Sequence, residues 1–311
     1  MPLQAIPYIV LLGFFYGSTL IVSRFSVGQY APTTYIGLRL IIAASAHVLI
    51  YAIARGRHWP TDRNLWKHAI ILGVIGTAIP MTSIVSGLQY LSSGIASILI
   101  TTNPALTVLF AHFFLSDEKL TWRKSIGIII ALSGAAVLAL SGESGIADPT
   151  NQPWIGYALL AVAMVIGSSS TIYARKFMSE MDSFDVASVR MLSASLVVLP
   201  LSYLFIGFDL SEVTPLGYAG LGYAALVGTF SGMLLAFYNI KHFGATASAM
   251  TAYVIPVVAT VGGYLFLDEI ITVNMLGGMG LIILGIGIIN QRQQAQKEQE
   301  QEVEPAASST V

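Results

Sequence analysis

The chain has 311 residues, of which 55% are hydrophobic and only 10% charged, and its formal net charge is -1. A soluble domain carries roughly 25% charged residues, so the composition is that of an integral membrane protein and excludes an ordinary water-soluble fold. No basic surface is available for nucleic acid, which is not an expected partner, and the lack of cysteine excludes disulfides, thiolate catalysis and cysteine metal sites.

A helix needs about 20 mostly apolar residues to cross a bilayer, and ten stretches meet that length. In chain order they are predicted at 5–23, 34–53, 69–89, 95–115 and 124–141, then at 154–173, 185–206, 216–238, 246–267 and 274–290. The first has neither a basic region before it nor a small-residue cleavage site, and is expected to be a retained helix. Residues 1–141 form one group of five spans and 154–290 a second, joined by a polar linker over 142–153. The Gln/Glu-rich tail over 291–311 has too little apolar surface to fold and is expected to be disordered.

The two groups are copies of one another. Asn103-Pro104 and the turn Asp117-Glu118 return as Ile255-Pro256 and Asp268-Glu269. Gly127 and Gly134 return as Gly278 and Gly285, Ser18-Thr19 as Ser170-Thr171, Arg39 as Arg190, and Gly76-Thr77 as Gly228-Thr229. The offset stays between 151 and 152 residues, which is a single repeat register.

Charge gives the expected orientation. With both termini cytoplasmic, twelve of the fifteen Lys and Arg residues fall on that side, Arg24 alone falls on the other, and Arg39 and Arg190 lie inside helices. Five spans per repeat turn the second copy upside down, and its loops have exchanged charge accordingly. Basic 55–67 corresponds to 207–218, which has no Lys or Arg. Two repeats inverted in the membrane plane provide two near-equivalent conformations, open to opposite sides around a midplane site. The expected fold is therefore all-α, ten transmembrane helices as two inverted five-helix repeats, and the expected activity is alternating-access transport in the cell membrane.

Five-span inverted repeats, each with a proline in the fourth helix, an Asp-Glu turn and a glycine-rich fifth helix, resemble the drug/metabolite transporter superfamily, and within it the EamA-type family. The resemblance covers about residues 5–290. It implies a central cavity lined mainly by helices 1, 3, 4, 6, 8 and 9, with helices 5 and 10 outside it. It also implies export or facilitated movement of amino acids or related small solutes, with nucleotide sugars as the alternative cargo.

Candidate substrate-binding groups are Tyr16, Ser18, Thr77, Thr102, Asn103, Ser169, Thr229, Tyr238 and Tyr253, chosen because hydroxyl, amide and aromatic groups inside spans can bind a polar or zwitterionic solute. For any one hydroxyl the competing reading is a bond to its own helix or a neighbour. Pro104 and Pro256 are candidate hinges, since a proline leaves the carbonyl four residues earlier, at Ile100 or Ala252, without its usual donor; a simple packing kink is the alternative. Arg39 and Arg190 start about five residues into their helices, roughly 7.5 Å deep, and are read as headgroup anchors, with an anionic substrate as the alternative.

No Asp or Glu falls near the middle of any span, and no catalytic dyad, metal-ligand cluster, nucleophile elbow or phosphate loop is present. The chain is not expected to be an enzyme or to use a metal or cofactor. Its expected partners are a small-molecule substrate and membrane lipid, with a homodimer left open by the glycines of helices 5 and 10. The main competing class is a non-transporting membrane scaffold or sensor.

Overall fold

The computed structural model describes residues 3–54, 56–116, 118–147 and 152–307, with the backbone alone at 245–247 and 291–307. Arg55, Asp117, linker residues 148–151 and the last four residues of the tail lie outside the described residues. Every regular element among the described residues is helical.

The first repeat comprises α1 (Ile6–Ser26), α2 (Pro32–Ile53), α3 (Arg63–Gly87), α4 (Ser93–Phe114) and α5 (Trp122–Ser141). The second comprises α6 (Pro153–Met178), α7 (Ser183–Phe205), α8 (Pro215–Gly244), α9 (Thr251–Leu267) and α10 (Val273–Ala307). Helix starts follow local chemistry. Asp62, Ser92, Thr121, Asp182 and Thr214 each accept a backbone N–H from the first turn of the helix they precede. Proline opens α2, α6 and α8, where its missing N–H costs nothing.

The packing shows the inversion directly. Helix α2 lies against α7, α4 against α9 and α5 against α10, each helix meeting its own counterpart across a pseudo-twofold axis. Off the axis, α1 packs on α9 as α6 packs on α4, and α2 packs on α8 as α7 packs on α3. One apolar core joins Tyr35, Ile36 and Leu40 of α2 to Met191, Ala194 and Val198 of α7. Leu140, Phe205 and Phe266 are 87%, 78% and 77% exposed, which only a lipid surround makes favourable.

Glycine explains the closeness of α5 and α10. A Cβ at Gly127 would lie 2.6 Å from the Gly285 carbonyl oxygen, and one at Gly134 would lie 2.7 Å from that of Gly278. These four glycines are therefore spent on an internal scaffold contact.

The backbone of α10 is described as far as Ala307. Two features depart from the sequence expectations. The span expected at 246–267 starts later: the chain kinks at Gly244, at φ 83°, and turns again before Thr251, where α9 begins. Finally, the described part of the linker is strapped down. Ser144 and Gly145 carbonyls accept from Ser92 N (2.8 Å) and Ile270 N (2.9 Å), so the linker ties the α3–α4 turn to the α9–α10 turn.

Candidate functional site: a cavity between the repeats

Helices α3 and α8 each contain a widened π-helical turn at equivalent positions, Val74–Ala78 and Ala224–Ser231. Within them Thr77 and Thr229 donate their hydroxyls back five residues, to the carbonyls of Leu72 and Ala224, both at 3.1 Å. Such single π-turns concentrate at functional sites because they bulge the backbone toward a neighbour. Here the bulged faces look onto a cavity of about 290 Å³ lined by residues of α1, α2, α3, α4, α7, α8 and α9.

Two arginines enter this cavity, and each is held by the other repeat. Arg39 of α2 donates through Nε to Thr229 Oγ1 of α8 at 2.7 Å, and through Nη1 to Ser23 Oγ at 3.3 Å. Arg190 of α7 donates through Nε to Thr77 Oγ1 of α3, and through Nη2 to the Gly76 carbonyl at 2.8 Å. The glycines beside the threonines complete the correspondence. A Cβ at Gly228 would lie 2.7 Å from Thr19 Cγ2 of α1, and one at Gly76 would lie 2.6 Å from Ser170 Oγ of α6. Tyr16 also lines the cavity and lies within electrostatic reach of both guanidinium groups.

The headgroup-anchor reading of these arginines is therefore corrected. Arg39 is only 8% exposed, and its guanidinium bonds Thr229 of α8, against which α2 packs. The cavity helices differ from those the resemblance implied in the same way: α2 and α7 contribute Ile36, Arg39, Arg190 and Met191, and no α6 residue lines the space.

Of the groups chosen from the sequence, the cavity brings together Tyr16, Thr77 and Thr229. The others lie elsewhere. Ser18 bonds the Phe14 carbonyl and the Tyr223 hydroxyl (2.8 Å) at an apolar lateral groove between α1, α8 and α9. Thr102 is buried and donates to Leu99 O at 2.7 Å. Asn103 Oδ1 accepts from Ser168 Oγ of α6 at 2.8 Å. Ser169 is exposed and bonds Val165 O, Tyr238 stacks on His242, and Tyr253 faces α10, with Asn290 as its side-chain partner.

The two prolines are accommodated differently. Helix α4 pauses at Thr101-Thr102 and resumes at Asn103, so Pro104 sits in a fresh first turn. Pro256 lies inside α9, leaving the Ala252 carbonyl without its helical donor. Thr101 of α4 supplies one: its hydroxyl bonds Ser97 O at 2.8 Å and reaches Ala252 O at 3.3 Å. The break in one repeat thus serves the proline of the other.

The glutamates of the two Asp-Glu turns are anchored, by unlike partners. Glu269 caps the start of α4, accepting from Ser93 N at 2.7 Å, Ser93 Oγ at 2.8 Å and Gly94 N at 3.4 Å. Burial raises its carboxyl above the usual range, and those hydrogen bonds offset this only in part. Glu118 instead binds Arg175 Nη1 of α6 at 2.8 Å and Lys124 Nζ at 3.2 Å. The Arg175 bond, reinforced by Lys124, holds its carboxyl below the usual range.

An all-helical membrane protein of ten spans in two inverted repeats, with a largely apolar cavity holding two arginines where they meet, has the architecture of a secondary transporter. The model of the EamA-like transporter family matches residues 3–140 and again 154–291. The chain belongs to the EamA-like transporter family. It is 27% identical over 282 residues to an uncharacterised transporter of Archaeoglobus fulgidus, covering 90% of this chain and 96% of that one. It is 29% identical over 251 residues to the uncharacterised inner membrane transporter YedA of Escherichia coli, covering 80% and 78%. It is also 29% identical over 261 residues to a probable terminal-alkyne amino-acid exporter of Streptantibioticus cattleyicolor, covering 83% and 84%. A crystal structure with 18% identity matches its fold with a TM-score of 0.65, over 92% of this chain and 95% of that one.

Proposed function

We propose that this transporter is an alternating-access carrier of amino-acid-sized metabolites, working outward from a membrane in which both termini face the cytoplasm. The observation that carries the reading is the cavity built jointly by the repeats, with each repeat's arginine bonded to the other's threonine. A relative rotation of the repeats remakes those contacts and re-aims the cavity. The pause beside Pro104 and the unpaired turn at Pro256, joined through Thr101, are the joints about which α4 and α9 bend.

Size favours amino acids over nucleotide sugars. At about 290 Å³ the cavity lies at the bottom of the roughly 300–1,000 Å³ range of small-molecule pockets, enough for one amino acid and too little for a base, a ribose, two phosphates and a sugar. The relative described as an amino-acid exporter supports the same choice. The test is counterflow of radiolabelled amino acids in proteoliposomes. Uptake that requires internal unlabelled solute supports the reading, and silence across amino acids alongside activity with nucleotide sugars overturns it.

A further inference from the structure

The cavity's charge specifies its cargo more closely than its size does. Arg39 and Arg190 both line it, a guanidinium stays protonated in a protein, and among the described residues neither makes an ion pair. Among the described residues no Asp or Glu lines the space. The partners the arginines do have are neutral: two threonine hydroxyls, the Ser23 and Tyr35 hydroxyls and the Gly76 carbonyl. Neutral acceptors orient a guanidinium without discharging it. Two uncompensated positive charges inside a membrane are costly, and the element missing from this site is negative charge.

The hydrogen bonds also show how that charge would be received. In both arginines Nε is committed to the opposite repeat, which fixes the plane of the fork, and each fork keeps further N–H donors suited to paired oxygens. Tyr16, within electrostatic reach of both, lines the same cavity. A monocarboxylic amino acid would satisfy one arginine and bring an ammonium toward the other. A diacid satisfies both. We propose, resting on the transport reading above, that the cavity takes small organic solutes with two carboxylates, a dicarboxylic amino acid or a plain dicarboxylate, one acid group per arginine. The cargo proposed for the site is therefore anionic.

Glutamate, glutamine and glutarate share one carbon chain and separate the alternatives. Thermal shift of the full chain in detergent measures binding of each, and counterflow in proteoliposomes measures movement. Glutamate and glutarate are expected to stabilise saturably, with glutamine at least ten-fold weaker. Arg39→Gln and Arg190→Gln are each expected to weaken diacid binding at least ten-fold, with Arg39→Lys and Arg190→Lys recovering part of it. Glutamine binding as tightly as glutamate overturns the diacid assignment while leaving the transport reading intact, and the comparison on the unaltered protein does not depend on any variant folding. A preference for a phosphate monoester of similar size also overturns it. Diacid binding without counterflow of any solute keeps the site and removes the transport reading.

Discussion

Replacing Thr101 by Val keeps the side chain's shape and removes the one hydroxyl that reaches the Ala252 carbonyl, which Pro256 deprives of its helical donor. Hydrogen bonds between helices in a membrane average ~0.6 kcal/mol, and an unsatisfied buried carbonyl costs about 1–3 kcal/mol. The hydroxyl proton is shared with the nearer Ser97 carbonyl, at 2.8 Å against 3.3 Å, which places the cost at the lower end, ~0.6–1 kcal/mol. With an unfolding entropy of ~2.1 cal/mol/K per residue, a chain of this length has roughly 0.65 kcal/mol/K, so the melting temperature should fall by about 1–1.5 °C. The diagnostic measurement is a double-mutant cycle with Pro256→Ala, which returns an N–H to the Ala252 carbonyl and makes Thr101 redundant. In that background Thr101→Val should cost almost nothing, a coupling of ~0.6 kcal/mol. Equal costs in the two backgrounds would refute the claim that Thr101 serves the proline of the other repeat.

Other consequences can be checked one by one. Gly127→Ala puts a Cβ against the Gly285 backbone and should destabilise by about 1–3 kcal/mol, whereas Gly280→Ala, which meets nothing within 4 Å, should not; matching melting curves would remove the scaffold role given to the α5–α10 contact. Asn103→Leu and Ser168→Ala should both lower thermal stability, and Asn103→Leu should leave substrate affinity unchanged, because its amide faces α6 and not the cavity; a selective loss of affinity would return it to the site. Glu118 titrates below the ordinary glutamate value of 4.5 in the folded protein, so its contribution is present above that value and lost as pH falls through the lowered one. The acid-side decline in melting temperature should therefore be shallower in Glu118→Gln, and identical slopes would show the ion pair to be idle. Single cysteines can be placed without background, as the chain has none: Arg63→Cys should react only from the cytoplasmic side and Ala147→Cys, also exposed, only from outside, with the reverse pattern inverting the topology.

The ten helices were legible because the bilayer imposes their length and the inversion imposes their charge exchange, both of which leave marks in a linear chain. The site was legible in part. Thr77 and Thr229 were chosen as hydroxyls inside spans, and they lie on the cavity as Tyr16 does. Arg39 and Arg190 were marked by the same repeat offset, yet depth below a helix end suggested headgroups. What that argument lacked was the crossing of α2 over α8 and of α7 over α3, a tertiary relation that no local distance encodes. The cost of burying arginine in a span was the available signal, since two such residues at one offset are hard to maintain without a purpose. Asn103 lies off the cavity for the opposite reason. Adjacency to Pro104 suggested a site, but a break in a helix turns its side chains about the axis, and the amide came to rest on Ser168.

The crossed bonds of Arg39 with Thr229 and Arg190 with Thr77 mean that neither half of the molecule is self-sufficient. A five-helix chain carrying one such arginine and one such threonine would leave the arginine Nε without its threonine acceptor unless it met a copy inserted the other way up. The present chain writes the two orientations into one polypeptide, and in doing so removes the choice: its halves can diverge in every lipid-facing residue, but at these four positions each is bound to the other's history.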